Sequence, residues 1–225
     1  MRVAVKLLLV AAGVAVAGVL VGLYAWRLTY EAGSPAYTVP VKYVGAQRVV
    51  DLKIETVAAA GRKLSRNPDW VSFLVLTSHG WKRETVWNLP ANATVHVTDY
   101  DFDGDSGLRN PFYSRMLGVT NYRVLLNGKP VTHINPADAS HVFAVPALGI
   151  SVAFLGVADS AKNQCGYAPC PLSTAHTTTK FTFRTTTPGH YRWQCFVPCA
   201  AGWIDGWGGP MQTIGYMDGF LNVKA

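Results

Sequence analysis

"TTTKFTFRTTTPGHYRWQCFVPC", residues 177–199, carries two strands and a ligand-bearing loop in one stretch. Phe181 and Phe183 alternate with polar neighbours, the period-two pattern of a half-buried strand. "TPG" at 187–189 marks a turn, and "HYRWQ" resumes the β texture up to Cys195 and Cys199. A further strand signal, "GYMDGFLNV" at 215–223, comes next. The two cysteines therefore fall on the loop joining the last two strands.

Working outward, the same texture holds from Trp70 onward. "WVSFLVLTS" is a short apolar run rich in β-formers, and Thr94-Val95-His96-Val97-Thr98 alternates after the break "LPAN". Asn127-Gly128 is a hairpin signal, because both residues accept positive φ. "HVFAVPALGISVAFLG", beginning at His141, adds further strands. Many short strands between Gly/Pro turns predict a mainly β sandwich or barrel over residues 70–225. Upstream, residues 29–69 read as a linker and membrane-proximal segment, with "VVDLKIETVAAAGRKL" undecided between a helix and a strand. Residues 102–135 form a long stretch suited to contacting a neighbouring subunit. Around its start, Asp101, Asp103 and Asp105 alternate like a calcium loop, but the closing glutamate is absent and a surface loop is expected.

Residues 1–28 differ in kind. Val3–Trp26 is apolar except for Lys6, and about 20 such residues span the hydrocarbon layer. The run outlasts the 7–15 residues or so usual in a cleaved leader and ends in Tyr24, Trp26 and Arg27, which suit an interface. An uncleaved single anchor is expected, with Arg2 and Lys6 favouring an inside N-terminus and an external domain. The net charge of +7 is spread along the chain without an aromatic-interleaved basic run, so nucleic acid is not an expected partner. An anionic membrane face or acidic partner suits it better.

Thiolates and imidazoles select copper, zinc or iron–sulfur clusters. A β-sandwich can bring the start of the strand at His141 beside the Cys195/Cys199 loop, with Met211 or Met217 as thioether candidates. His133, His176 and His190 lie at no ligand spacing. Cys165, Cys170, Cys195 and Cys199 make an even count, which in an exported domain suggests disulfides first and metal second.

"DASHVFAVPALG" (138–149) and "PGHYRWQCFVPC" (188–199) resemble the two copper-binding segments of cytochrome oxidase subunit II. Asp138, His141, Phe143, Val145, Pro146, Leu148 and Gly149 match the first segment. Pro188, Gly189, Gln194, Cys195 and Cys199 match the second. The resemblance implies a cupredoxin-like Greek-key β-sandwich behind one transmembrane helix. It also implies a copper centre that takes electrons from cytochrome c or a small copper protein. Other integral-membrane oxidase subunits would be partners, at the outer face of a prokaryotic plasma membrane.

The ligand set is incomplete. The family's histidine and methionine after the second cysteine are replaced by Trp203 and Gly206, and an indole offers no lone pair to a metal. Val197 replaces a glutamate that lends only its carbonyl. His141, Cys195, Cys199 and Met217 remain as candidate copper ligands, Met217 through the likeness of "GYMDGFLNV" to the end of mononuclear cupredoxins. The alternatives are a free-standing copper carrier and a metal-free subunit of a quinol-oxidase type. In the latter, Cys195–Cys199 and Cys165–Cys170 would close disulfides and Trp203 and Trp207 would fill the lost site.

Overall fold

The computed structural model describes residues 3–29, 34–200 and 209–225. Helix α1 (Val3–Thr29) contains one 24-residue stretch, Val3–Trp26, long and apolar enough to cross a membrane. A signal sequence near an N-terminus can meet the same criterion. At 1.5 Å per residue the 27-residue helix is about 40 Å long, which matches a bilayer with its headgroup layers.

In chain order the strands are β1 (Ala36–Thr38), β2 (Val41–Val44), β3 (Gln47–Val57), β4 (Ser72–Thr77) and β5 (Gly80–Lys82). Next come β6 (Val86–Pro90), β7 (Ala93–Asp101), β8 (Met116–Leu117), β9 (Val124–Leu126) and β10 (Lys129–Val131). β11 (Ala139–Val145), β12 (Ile150–Leu155), β13 (Thr177–Arg184), β14 (Gly189–Gln194) and β15 (Asp218–Lys224) complete the order. One sheet runs β1-β6-β15-β14-β11-β12-β8, the other β10-β9-β13-β7-β3-β4-β5, with β2 also on β3. The chain leaves β12 for β13 in the opposite sheet and returns as β14 beside β11. Such crossings make a Greek-key sandwich, as expected.

Pairing follows the side-chain pattern. β7 alternates buried and less buried residues along its length, and β13 pairs with it from Thr177–Asp101 to Arg184–Thr94. Phe181 and Phe183 both turn inward. Asn127 and Gly128 take φ of 47° and 80° and join β9 to β10, as their sequence predicts. The core is aromatic: Trp193 stacks on Trp87 at 4.9 Å and meets Phe73 edge-on at 4.9 Å. All three rings are buried.

The strands begin earlier than expected. The linker expected over 29–69 contains β1, β2 and β3, so the sandwich begins near residue 36. β3 occupies the interior of its sheet between β7 and β4, with Val50, Leu52 and Ile54 buried. Its alternation is clear only once β7 is known to run parallel beside it. The 102–135 stretch is likewise part of the scaffold: β8 closes an edge of the first sheet and β9–β10 an edge of the second.

The sandwich has two poles. β7 and β3 run parallel, and β13 opposes them, so Asp101, Val57 and Thr177 share one end. The β2–β3 hairpin, Pro90 and Lys224 lie at the other.

Candidate metal centre

The centre follows from strand direction. β14 lies between β11 and β15 and runs opposite to both. The end of β14 therefore meets the beginning of β15, and the chain beyond Gln194 continues beside β11 toward that strand's start. Gln194 is level with Ala144 on one side and Asp218 on the other. The residue after Gln194 is Cys195, the residue before Asp218 is Met217, and His141 lies near the start of β11. Cys195 N–H donates to the Met217 carbonyl at 3.0 Å, and Val142 N–H points at the Cys195 sulfur at 3.4 Å.

A register shift between Ala139 and His141 gives β11 one extra residue against β12. Bulges of this kind re-aim side chains. The Ser140 hydroxyl donates to buried Asp101, and the His141 ring turns to the cysteines. His141 Nδ1 lies 2.9 Å from Cys199 Sγ and 3.9 Å from Cys195 Sγ. The two sulfurs are 3.1 Å apart and unbonded. His141 and Cys195 are buried and Cys199 is half-buried. This trio is the group of metal-type side chains found among the described residues, its ligand atoms within 4.8 Å of one another.

Asp103 completes the arrangement. Its Oδ2 accepts from His141 Nε2 at 3.0 Å, its Oδ1 accepts Gly104 N–H, and its own N–H donates to Asp101. The carboxylate comes from the end of β7, in the opposite sheet. The sequence expectation of a surface loop at 101–105 is therefore corrected: Asp101 is buried, and Asp103 is 24% exposed and engaged. The missed signal was continued alternation. β7 turns Asp99 and Asp101 inward just as it turns Val95 and Val97 inward.

Electrostatics make the metal-free centre an ion pair. Burial opposes a Cys195 thiolate, yet hydrogen bonding from Cys199 and then His141 outweighs it and lowers the thiol to about 5. Burial raises Cys199 well above its usual value, and the neighbouring Cys195 adds to this. Burial also opposes an imidazolium, but the Asp103 hydrogen bond and then Cys195 raise His141 well above its ordinary value. Asp101, raised to about 7 chiefly by burial, lies behind the pair.

The remaining imidazoles lie elsewhere, and the two candidate methionines are buried. His133 and His190 are exposed and bond Thr132 and Asn222, while His176 packs on Phe102 at 5.2 Å. Met211 is buried, and its carbonyl accepts from the Gln194 amide. Met217 is buried with Cys195 and Val197 in the main core. Cys165 and Cys170 form a disulfide with a Cα–Cα distance of 5.8 Å. Trp203, Gly206 and Trp207 lie outside the described residues.

One nitrogen and two sulfurs fit a soft metal ion, since all three can become neutral or anionic donors. A histidine whose second nitrogen is held by a carboxylate is the usual arrangement at metal centres. No protein-family model matches the chain, and no curated protein matches it. Among solved structures the chain is similar to the copper protein rusticyanin, at 20% identity over 91% of this chain and 93% of that chain, with a TM-score of 0.34. It is also similar to rusticyanin from Thiobacillus ferrooxidans, at 20% identity over 91% and 92%, with a TM-score of 0.34. Reduced rusticyanin gives 18% identity over 91% and 95%, with a TM-score of 0.33.

Proposed function

We propose that this chain is a membrane-tethered electron-transfer domain that holds one copper ion between His141, Cys195 and Cys199, with Met217 as a weaker fourth ligand. The observation that carries this reading is the convergence of one imidazole nitrogen and two free sulfurs at one buried pole. His141 is the single imidazole of the group among the described residues, which favours one ion over two. Bound copper supplies a one-electron couple.

The chain's own residues prepare that centre. Asp103 fixes the His141 ring so that Nδ1 keeps facing the sulfurs. Val142 N–H and the backbone bond of Cys195 to Met217 hold the first sulfur against two strands. The surrounding β-core changes little in shape when charge moves, because packed interiors yield poorly. Half-buried Cys199 supplies the edge nearest to solvent. To hold an ion, His141 Nδ1 would have to give up its proton, so binding would release protons.

The finer reading places the domain as the electron-entry subunit of a haem-copper terminal oxidase at the outer face of a prokaryotic plasma membrane. Other integral-membrane oxidase subunits would be its partners, and cytochrome c or a small copper protein its donor. The motifs around His141 and Cys195 support it, as does the apolar helix. A free-standing, membrane-anchored copper carrier is the second reading, favoured by the single imidazole. The metal-free scaffold is disfavoured by sulfurs that stand unbonded beside an imidazole.

The deciding experiment purifies the full chain from membranes without added metal. About one copper per chain, with an intense thiolate band and reversible bleaching on reduction, is the expected result. Copper-free protein that cannot be loaded refutes electron transfer. Haem co-purifying in stoichiometric amount selects the oxidase subunit over the carrier.

A further inference from the structure

The chain enters the sandwich at the pole that carries the centre. Ser34 Oγ accepts Thr85 N–H at 2.9 Å, just before β6. Thr85 in turn accepts Gly215 N–H and donates to the Asp218 carbonyl, on either side of Met217. Ser34 is thus fixed beside the Met217 turn, five residues after the last residue of α1. Five extended residues reach about 18 Å. β3, with 11 residues at about 3.3 Å each, sets the poles some 30 Å apart or slightly more. If α1 spans a membrane, the tether is too short for the sandwich to rest on its far pole. The pole with the centre would then be held toward the lipid.

A basic, hollow surface adjoins that entry point. The loop after β3 carries Arg62, Lys63 and Arg66, all exposed, within "GRKLSR". Arg83 binds this loop to the entry point, donating from Nε to the Leu64 carbonyl and from a terminal nitrogen to the Gly215 carbonyl. Ser65 and the Tyr216 hydroxyl add a second link at 2.6 Å. The loop packs against the disulfide loop 165–170. Gly61 has φ of +73°, and a side-chain carbon there would come within 2.9 Å of the Ala168 carbonyl. Between the loops lies a surface cavity of about 570 Å³, lined by Arg62, Lys63, Pro68, Asp69, Tyr167 and Pro169 among others. Asp69, the acid of this lining, is engaged by the Tyr167 hydroxyl at 3.1 Å. Tyr167, in the lining, is 60% exposed, and Leu172, two residues past the disulfide, is 52% exposed.

We propose that this cavity and its basic rim dock on anionic phospholipid headgroups, and so hold the centre against the membrane that carries the anchor. The cations meet the lipid phosphates, while Tyr167 and Leu172 enter the headgroup layer. The proposal rests on α1 being a retained anchor, as in the proposed function. It does not depend on copper. It implies that the electron partner lies in or on the same membrane, since the docked face leaves the centre little access from bulk solution.

The test uses the full metal-free chain in nanodiscs, where the anchor holds it whatever the lipid. Amide exchange over residues 61–70 and 165–172 is compared in phosphatidylcholine discs and in discs containing phosphatidylglycerol. Exchange slower by about tenfold or more in the anionic discs, returning to the zwitterionic rate in about 1 M salt, is the expected result. Arg62→Glu/Lys63→Glu/Arg66→Glu should abolish the difference, and Arg184→Glu/Lys224→Glu, near the opposite pole, should leave it intact. Equal exchange in both lipids overturns the proposal, and so does protection that moves to residues 44–47. Protection produced by inorganic phosphate in zwitterionic discs would also overturn it, because the cavity would then take a soluble anion. The lipid contrast needs no variant, so misfolding of the triple variant leaves the test standing. Copper loading of the same sample separates the two readings, since either can fail while the other survives.

Discussion

The two cysteine pairs are nearly equal in spacing and opposite in chemistry. Cys165 and Cys170 lie on a loop outside the sheets and are joined. Cys195 and Cys199 sit at the end of a central strand, 3.1 Å apart, and are not. Spacing therefore says little about redox state; surroundings decide it. The first pair has an acid for a neighbour, with Cys170 N–H donating to buried Glu55, whose carboxyl burial raises to about 7. The second pair faces an imidazole that a carboxylate pins from the opposite sheet. The joined pair closes a loop, while the free pair shares its charge with a base and stays available.

This contrast can be broken most sharply by serine. Cys195→Ser should eliminate the intense thiolate-to-copper absorption and stoichiometric binding, whereas Cys165→Ser should leave the band in place. Visible spectra of the two variants after copper loading check this. Loss of the band in both would make the pairs equivalent.

Next in size is the thiolate itself. In the metal-free chain one of the two free thiols should ionise near pH 5, and Cys199 should remain protonated well above the usual thiol range. Ultraviolet thiolate absorbance against pH measures this directly. The sign for stability follows. A thiol lowered in the fold stabilises fully above its unfolded value, near 8.5, and loses that contribution as the pH falls through about 5. Substituting His141 with Gln should move the titration back toward the ordinary range.

Asp103→Asn tests the pinning alone. The amide oxygen still accepts from Nε2, so only the charge is lost. Copper affinity should fall about 10–100-fold, read by competition with a chelator, with little change in thermal midpoint. An unchanged affinity would reduce Asp103 to packing.

The smallest effect belongs to the joined pair. Replacing Cys165 and Cys170 with alanine should cost about 2 kcal/mol in denaturant unfolding, as expected for so short a loop, and should leave copper binding unaltered.

What the sequence disclosed depended on the range of the interactions involved. The Asn127-Gly128 hairpin and the Phe181/Phe183 strand are local patterns, and both are present in the fold. The grouping of His141 with Cys195 and Cys199 was legible because each falls at a strand end with a distinctive neighbourhood. Asp103 was not, since its role depends on a strand of the other sheet arriving over His141. β3 was obscured for a similar reason. Its buried residues Leu52 and Ile54 alternate with Lys53 and a buried Glu55, an acid whose place makes sense only with the Cys170 amide beside it. The 102–135 stretch carried edge strands of two and three residues, too short for periodicity to register.

The strand directions also determine when the centre can exist. Asp103, His141, Cys195 and Met217 come from positions spread over more than half of the sequence, and Met217 joins the others only when β15 has slotted between β6 and β14. A partly synthesised chain carries the same thiols and imidazole, but as separate, weakly chelating groups. Long-range pairings of this kind form slowly and together. Under the proposed function, metal uptake would therefore be a late act of maturation, timed by the closing of the sheet. The compartment in which that strand settles would then be the one to supply the ion.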